Sequence, residues 1–308
     1  MNSSKTPGLG RGFSFGIGAY LIWGSFPLII SLLGSFASAD EIVGWRIVFG
    51  FAMAIILLTV TKTWQTILPV IRDRKSLVWM LVSTVTIMTN WWVYVIGVAT
   101  GHIIESSLGY FINPLVTISL AVFFLKERLR VLQWVAVALG AIAVTILTVD
   151  YGHLPVIALA LAVSFGIYGL AKKKVGSTVS PLTGYAIESG FLTPIAIVQL
   201  SLISAAAPGL QFDEHGIWGA VGLSLFGFIT AIPLIMFGSA AKFLPLSYVG
   251  LLQYLTPVLQ FVTGLFIFHE AMSPARWVGF GVVWLGLALF TFDMLSHSKS
   301  RKSEYSSR

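Results

Sequence analysis

Three charged residues lie well inside long apolar stretches of the chain: Arg46, Glu105 and Glu188. A charge at membrane depth is expensive, and it persists where it meets a partner, a solute or a proton. Arg46 is a permanent cation whose fork of donors suits a carboxylate or another anionic group. Glu105 and Glu188 are candidates for proton coupling, because a carboxyl in apolar surroundings can exchange between charged and neutral forms. Arg46 lies ~7 Å below one end of its stretch, at about 1.5 Å per residue. Glu105 lies at a similar depth, so the two are expected to form an ion pair facing the interior. For each of the three the competing role is structural: an ion pair that fixes packing, or, for Glu188, hydrogen bonds from neighbouring helices.

Polar groups also gather around prolines. Asn113-Pro114 and Thr256-Pro257 fall near the middle of two apolar stretches. Proline removes one helical hydrogen bond and frees a carbonyl on the preceding turn. Freed backbone at that depth lines a cavity or is satisfied again by neighbours. Tyr110 and Asn113 flank the first break, and Gln253, Tyr254 and Gln260 flank the second, with Thr256 beside them. Asn90 and Trp91 add an amide and an aromatic wall. These residues, with Arg46 and Glu105, form the candidate substrate-binding set. Trp23-Gly24-Ser25-Phe26-Pro27 is a similar break, which makes Pro27, Pro114 and Pro257 the candidate hinges.

Nucleophilic catalysis is not expected. Gly12-Phe13-Ser14-Phe15-Gly16 matches G-x-S-x-G, but that chemistry needs a strand-turn-helix context and a histidine partner. Here the pattern opens an apolar stretch, and the 5 histidines fall in loops or at stretch ends. No G-x-x-x-x-G-K-[ST] motif offers a cradle for ATP. With 0 cysteines, disulfides and thiolate metal sites are excluded, and no metal or cofactor site is read.

The elements that must position these residues are membrane helices. Apolar residues make up 56% of the 308 and charged residues 10%, against about 25% charge in a soluble domain. Stretches long enough to span a bilayer occur near 13–33, 41–61, 77–98, 102–125, 131–149, 154–171, 181–204, 216–241, 244–268 and 274–293. The fold class is therefore an all-α membrane protein with ten transmembrane helices. The chain also repeats itself: at an offset of 143 residues Pro114 falls on Pro257, Glu127 on Glu270 and Trp134 on Trp277. The organisation read is a five-helix half at 13–149, a second at 154–293, and a polar tail at 294–308 expected to be disordered.

Charge sets direction. All 19 Lys and Arg except Arg46 and Arg276 fall on one side if the N-terminus is cytoplasmic. By the positive-inside rule both termini are then cytoplasmic. Five helices is an odd number, so the second half is inverted. Its loops agree: Lys126, Arg128 and Arg130 become His269, Ala271 and Ser273. The net charge of +7 thus serves orientation, and no nucleic-acid partner is expected. Repeated, broken helices in inverted halves point to a transporter with its site near the midplane.

The segments Asn90-Trp91, Ser107-Leu108-Gly109-Tyr110-Phe111-Ile112-Asn113-Pro114, Glu127-Arg128-Leu129, Leu252-Gln253-Tyr254 and Ser273-Pro274-Ala275-Arg276 carry a family likeness. The chain resembles the EamA branch of the drug/metabolite transporter superfamily, and within it the RarD-like permeases. Trp45-Arg46 departs from the usual His-Arg of that branch. The resemblance implies a permease of the bacterial inner membrane that moves a small organic metabolite or drug by alternating access. A broad exporter of chloramphenicol-like drugs is the alternative. An intramembrane enzyme or a non-transporting sensor is the reading from another class. The expected partners are a small-molecule solute and the lipid bilayer, and a homodimer is compatible with the sequence.

Overall fold

With no water at membrane depth, every backbone N–H and C=O must be bonded within its own segment, and helices meet that demand. The computed structural model describes residues 9–125, 130–175, 178–206, 208–212, 214–243 and 252–306, and among these there are helices and no strand. In chain order they are α1 (Leu9–Gly34), α2 (Ala39–Val60), α3 (Ile67–Arg72), α4 (Arg74–Ala99), α5 (Ile103–Leu125), α6 (Val131–Tyr151), α7 (Val156–Val175), α8 (Pro181–Ala205), α9 (Gly216–Phe243), α10 (Leu255–Val262) and α11 (Pro274–Ser306). Seven of them, α1, α2, α4, α6, α8, α9 and α11, are long and apolar enough to cross a membrane. The first part of the stretch expected at 244–268 and the basic residues 126–129 lie outside the described residues.

Local signals explain several boundaries. Ser38 caps α2, its hydroxyl accepting from the Glu41 N–H at 3.2 Å. Asp73 caps α4, accepting from the Ser76 N–H at 2.9 Å. The hydrogen bonds from Ser76 hold the Asp73 carboxyl below the usual carboxylate range. Ser180 caps α8 ahead of Pro181, where proline's missing N–H costs nothing. Gly152 ends α6 in the left-handed region, at φ 71°.

The prolines behave differently from one another. α1 runs unbroken through Pro27 and α5 through Pro114. Neither proline ends its helix. The second copy does break. A turn at Tyr254 precedes α10, which restarts with Pro257 as its third residue. First-turn N–H groups have no intrahelical acceptor, so proline is tolerated there. α10 then widens into a π-turn at Thr263–Ile267. α11 continues to Ser306, through the tail expected to be disordered. Residues 287–306 contain no glycine or proline to stop it.

α7 packs between α4 and α5, α9 between α1 and α2, and α8 lies along α2. α6 pairs with α11, and the pair is fastened at both ends. At one end Asp150 accepts from Arg276 Nε at 3.1 Å and from the Ser273 hydroxyl at 2.8 Å. At the other, Arg130 Nε donates to both oxygens of Asp293, at 3.0 and 2.8 Å.

Close approach is needed where α9 crosses α2. A Cβ on Gly227 would lie 2.5 Å from Phe49 Cβ and 3.2 Å from the Arg46 carbonyl oxygen. Gly227→Val is therefore expected to cost about 1–3 kcal/mol through overpacking, read as a lowered unfolding midpoint in detergent. Gly109 is under the same constraint: its Cβ would lie 2.7 Å from the Ala158 carbonyl oxygen on α7.

Candidate functional site

Among the helices lies a cavity of about 50 Å³. Arg46 of α2, Asn90, Trp91 and Tyr94 of α4, Tyr110 of α5 and Gln260 of α10 line it. Tyr20, Trp23 and Phe26 of α1, Phe165 of α7 and Gln253, Thr256 and Pro257 add to the wall. Most of the sequence-predicted binding residues therefore meet around one small space.

Arg46 is 3% exposed. Its Nε donates to the Thr230 hydroxyl on α9 at 3.0 Å. Its guanidinium carbon lies 4.5 Å from the Trp91 ring centroid, 5.2 Å from Phe226 and 5.4 Å from Phe26. These ring faces carry negative potential that offsets part of the charge. Nη1 has no hydrogen-bond partner, and no ion pair with a described carboxylate forms. The expected Arg46–Glu105 pair is absent.

The amides around Arg46 form a frame. Asn90 Nδ2 donates to the Leu161 carbonyl and to Ser164 Oγ, each at 3.2 Å, so α4 is tied to α7. Its Oδ1 accepts from the Tyr110 hydroxyl at 3.0 Å. Asn113 sits behind the wall, its Nδ2 donating to the Ala162 carbonyl at 2.9 Å. Gln253 Nε2 reaches across to Asn113 Oδ1 at 3.1 Å, joining the two proline segments. Thr256 donates to the Tyr20 carbonyl at 3.0 Å. Gln260, 2% exposed, donates from Nε2 to the Tyr94 hydroxyl at 2.9 Å. Tyr254 is not part of the wall and packs instead against the apolar cluster of Ile104, Leu108 and Phe111.

Glu105 lies elsewhere. Its Oε1 accepts from the Ile157 N–H at the start of α7, at 3.1 Å. A carboxylate is favoured there by the orphan N–H groups and the positive end of the helix dipole. It lines a second, wider pocket of about 380 Å³ with His102, Asp150, His153, Glu270 and Arg276. Glu270 performs the same service for α5, accepting from the Ile103 and Ile104 N–H groups at 2.7 and 2.9 Å. Burial pushes the Glu270 carboxyl above its ordinary value despite those bonds. A folded-state value above the unfolded one means that the ionised form costs stability, and that the cost is removed as pH falls through the raised value. The unfolding midpoint should therefore rise modestly on mild acidification toward the ordinary glutamate range. Glu270→Gln should lack that component in a pH series of melts.

Glu188 is not a lone carboxylate. It is 2% exposed, and its Oε1 lies 2.5 Å from both Lys172 Nζ of α7 and Ser83 Oγ of α4. The three helices α4, α7 and α8 are joined there.

Several residues escaped sequence reasoning. Thr230, which orients Arg46, is one hydroxyl in an apolar helix with no motif around it. Tyr94 was legible only as one more aromatic. Glu41 reads as a loop charge but is 1% exposed, and both its oxygens accept from the Gln211 N–H, at 2.9 and 3.0 Å.

Helices long and apolar enough to cross a membrane surround a small, aromatic-walled cavity that holds a buried cation. The chain belongs to the EamA-like transporter family, whose model matches residues 10–149 and again 155–292. It is 41% identical over 292 residues to the Protein RarD of Streptomyces exfoliatus, covering 95% of this chain and 91% of that one. It is 37% identical over 288 residues to the uncharacterized transporter YojE of Bacillus subtilis, covering 92% and 95%. The Protein RarD of Escherichia coli is 35% identical over 289 residues, covering 92% and 95%. A protein of known crystal structure aligns with a TM-score of 0.60 at 17% identity, over 91% of this chain and 96% of that one. At that identity the likeness speaks for the fold alone.

Proposed function

We propose that this protein is a secondary transporter of the bacterial inner membrane that moves a small organic anion through the Arg46 cavity by alternating access. The observation that carries this reading is Arg46, a cation that lines the cavity while its Nη1 is buried without an acceptor. Leaving a charged donor unsatisfied costs more than the roughly 1–3 kcal/mol of a neutral group. A solute that brings an anionic oxygen removes that cost. The cavity of about 50 Å³ holds one or two waters at ~30 Å³ each. That small space supports the reading that the helices part to admit an organic solute, first toward one side and then toward the other.

Such a cycle calls for a ten-helix, two-half architecture, and two observations support that reading. The family model matches twice, once in each half. Packing is matched under exchange of the halves: α1 on α9 answers to α7 on α4, and α1 on α10 answers to α7 on α5. The basic loops argue for cytoplasmic termini, which place the 380 Å³ pocket on the outer face. Of the two carboxylates, Glu188 is the better placed for proton coupling. It is buried, while the side chain of its partner Lys172 is 27% exposed and offers a route to water.

The aromatic wall favours a second reading, a broad exporter of aromatic drugs such as chloramphenicol-like compounds. The experiment that tests the first begins with a metabolite screen of deletion and overexpressing cells, followed by transport in proteoliposomes. With no native cysteine, single-cysteine variants at Asn90 and Thr256 report access directly. Labelling from both membrane faces, each face in competition with the solute, is the expected result. Labelling from neither face, or drug efflux that persists in Arg46→Ala with no anion transported by the wild type, would sink the proposal.

A further inference from the structure

Arg46 is not the only unsatisfied group in the cavity. Gln260 Oε1 is buried and has no donor, although Nε2 of the same amide is fixed by the Tyr94 hydroxyl. The other buried amide of the wall, Asn90, has both ends in use. Arg46 and Gln260 both line the cavity, and each has one buried atom without a partner, a cationic donor on α2 and a neutral acceptor on α10. An anion without a donor would satisfy Arg46 and leave Gln260 Oε1 without a partner. A solute with both an anionic oxygen and an N–H or O–H satisfies the two together. Tyr20, Trp23, Trp91, Tyr94, Tyr110 and Phe165 supply flat apolar faces for its body.

The geometry points to Gln260 as a specificity-determining residue whose Oε1 accepts a hydrogen bond from the transported anion, so that the cavity selects anions bearing an N–H or O–H donor. This rests on the anion reading of the cavity and goes beyond it by adding a second recognition element. A site built to hydrogen-bond a polar group discriminates strongly against the analogue that lacks it, because its own buried group is then left unpaired. For one neutral acceptor, discrimination of about 10–100-fold is expected.

The test uses the purified full-length protein in detergent and four probes that share a benzyl group and a carboxylate. 3-Phenylpropionate has no donor, 3-phenyllactate adds a hydroxyl, phenylalanine adds an ammonium, and 2-benzylsuccinate adds a second carboxylate. Apparent affinities come from ligand-dependent shifts of the melting temperature. Phenyllactate and phenylalanine should bind at least about 10-fold more tightly than phenylpropionate. Gln260→Met, close in volume, should abolish that gap. Arg46→Gln should remove binding of all four.

Equal binding of the first three probes to the wild type, with dependence on Arg46 retained, overturns the role of Gln260 and leaves the anion reading standing. That comparison needs no variant to fold. A gap that survives in Gln260→Met overturns it as well. A preference for 2-benzylsuccinate over the rest does the same, because the amide would then be presenting its Nε2 to the solute. If no probe binds in an Arg46-dependent way, the anion reading falls and this inference with it.

Discussion

Arg46→Ala should lower the initial rate of solute uptake into proteoliposomes by about 100-fold or more while leaving the protein folded. Each hydrogen bond to a charged group contributes about 1.5–3 kcal/mol. Two such bonds between a guanidinium and an anionic oxygen pair amount to roughly 3–6 kcal/mol, and every 1.4 kcal/mol is a factor of about ten. Folding should be nearly untouched for a separate reason. Arg46 contributes one hydrogen bond, to Thr230, and contacts with three rings, yet the protein also carries the desolvation cost of a cation 3% exposed. Removing both largely cancels. Arg46→Lys should transport poorly too, because an ammonium cannot hold Thr230, face the Trp91 ring and fork onto an anion at once. Wild-type rates in Arg46→Ala, with normal yield and melting temperature, would falsify the assignment.

Breaking the Glu188–Lys172 pair should give the largest stability effect. Removing one member of a buried ion pair leaves the other uncompensated, at a cost of about 3–5 kcal/mol. Lys172→Met strands a carboxylate 2% exposed, with the neutral hydroxyls of Ser83 and Tyr168 as donors nearby; it belongs in the upper part of that range. Glu188→Leu strands an ammonium whose side chain is 27% exposed and can turn toward water, which puts it at the lower end. The double variant, apolar at both positions, should recover most of the loss, because a buried pair is often no better than packed apolar groups. The measurement is a double-mutant cycle of unfolding in detergent. Additive losses would mean that the two side chains act independently and that the 2.5 Å contact contributes nothing.

The sequence exposed the cavity residues through expense. Arg46, Asn90, Tyr110, Gln253 and Gln260 stand out because polar groups in apolar helices need a reason, and all five line one cavity. The same criterion named Glu105, which went instead to the start of α7. Depth along a helix follows from counting residues, whereas the face a residue presents depends on how the helix is turned against its neighbours. Glu105, third in α5, also sits nearer its helix end than Arg46, eighth in α2, and the two face different neighbours. Tyr254 fails for the same reason, turning from the wall into the cluster around Leu108. Glu41 shows the reverse: it lies in the first turn of α2, next to a loop, where sequence gives no sign of burial, and the chain at Gln211 folds over it.

Symmetry was legible in part. An offset of 143 residues places Pro114 on Pro257, yet α5 passes through its proline intact while the second copy turns at Tyr254. A proline disfavours the bond it cannot make, but whether the helix breaks depends on what the neighbours supply to the freed carbonyl.

The sequence by itself determined that this is a helical membrane protein with polar groups held at depth, because the cost of placing a residue in lipid belongs to that residue and its own segment. Only the tertiary structure decided who meets whom: Arg46 with Thr230 and an open Nη1, Glu188 with Lys172, Glu270 with the start of α5. Those pairings turn on rotation and close approach between helices far apart in the chain. Contacts of a few ångströms are set there by the packing of all the helices together, which no single segment encodes.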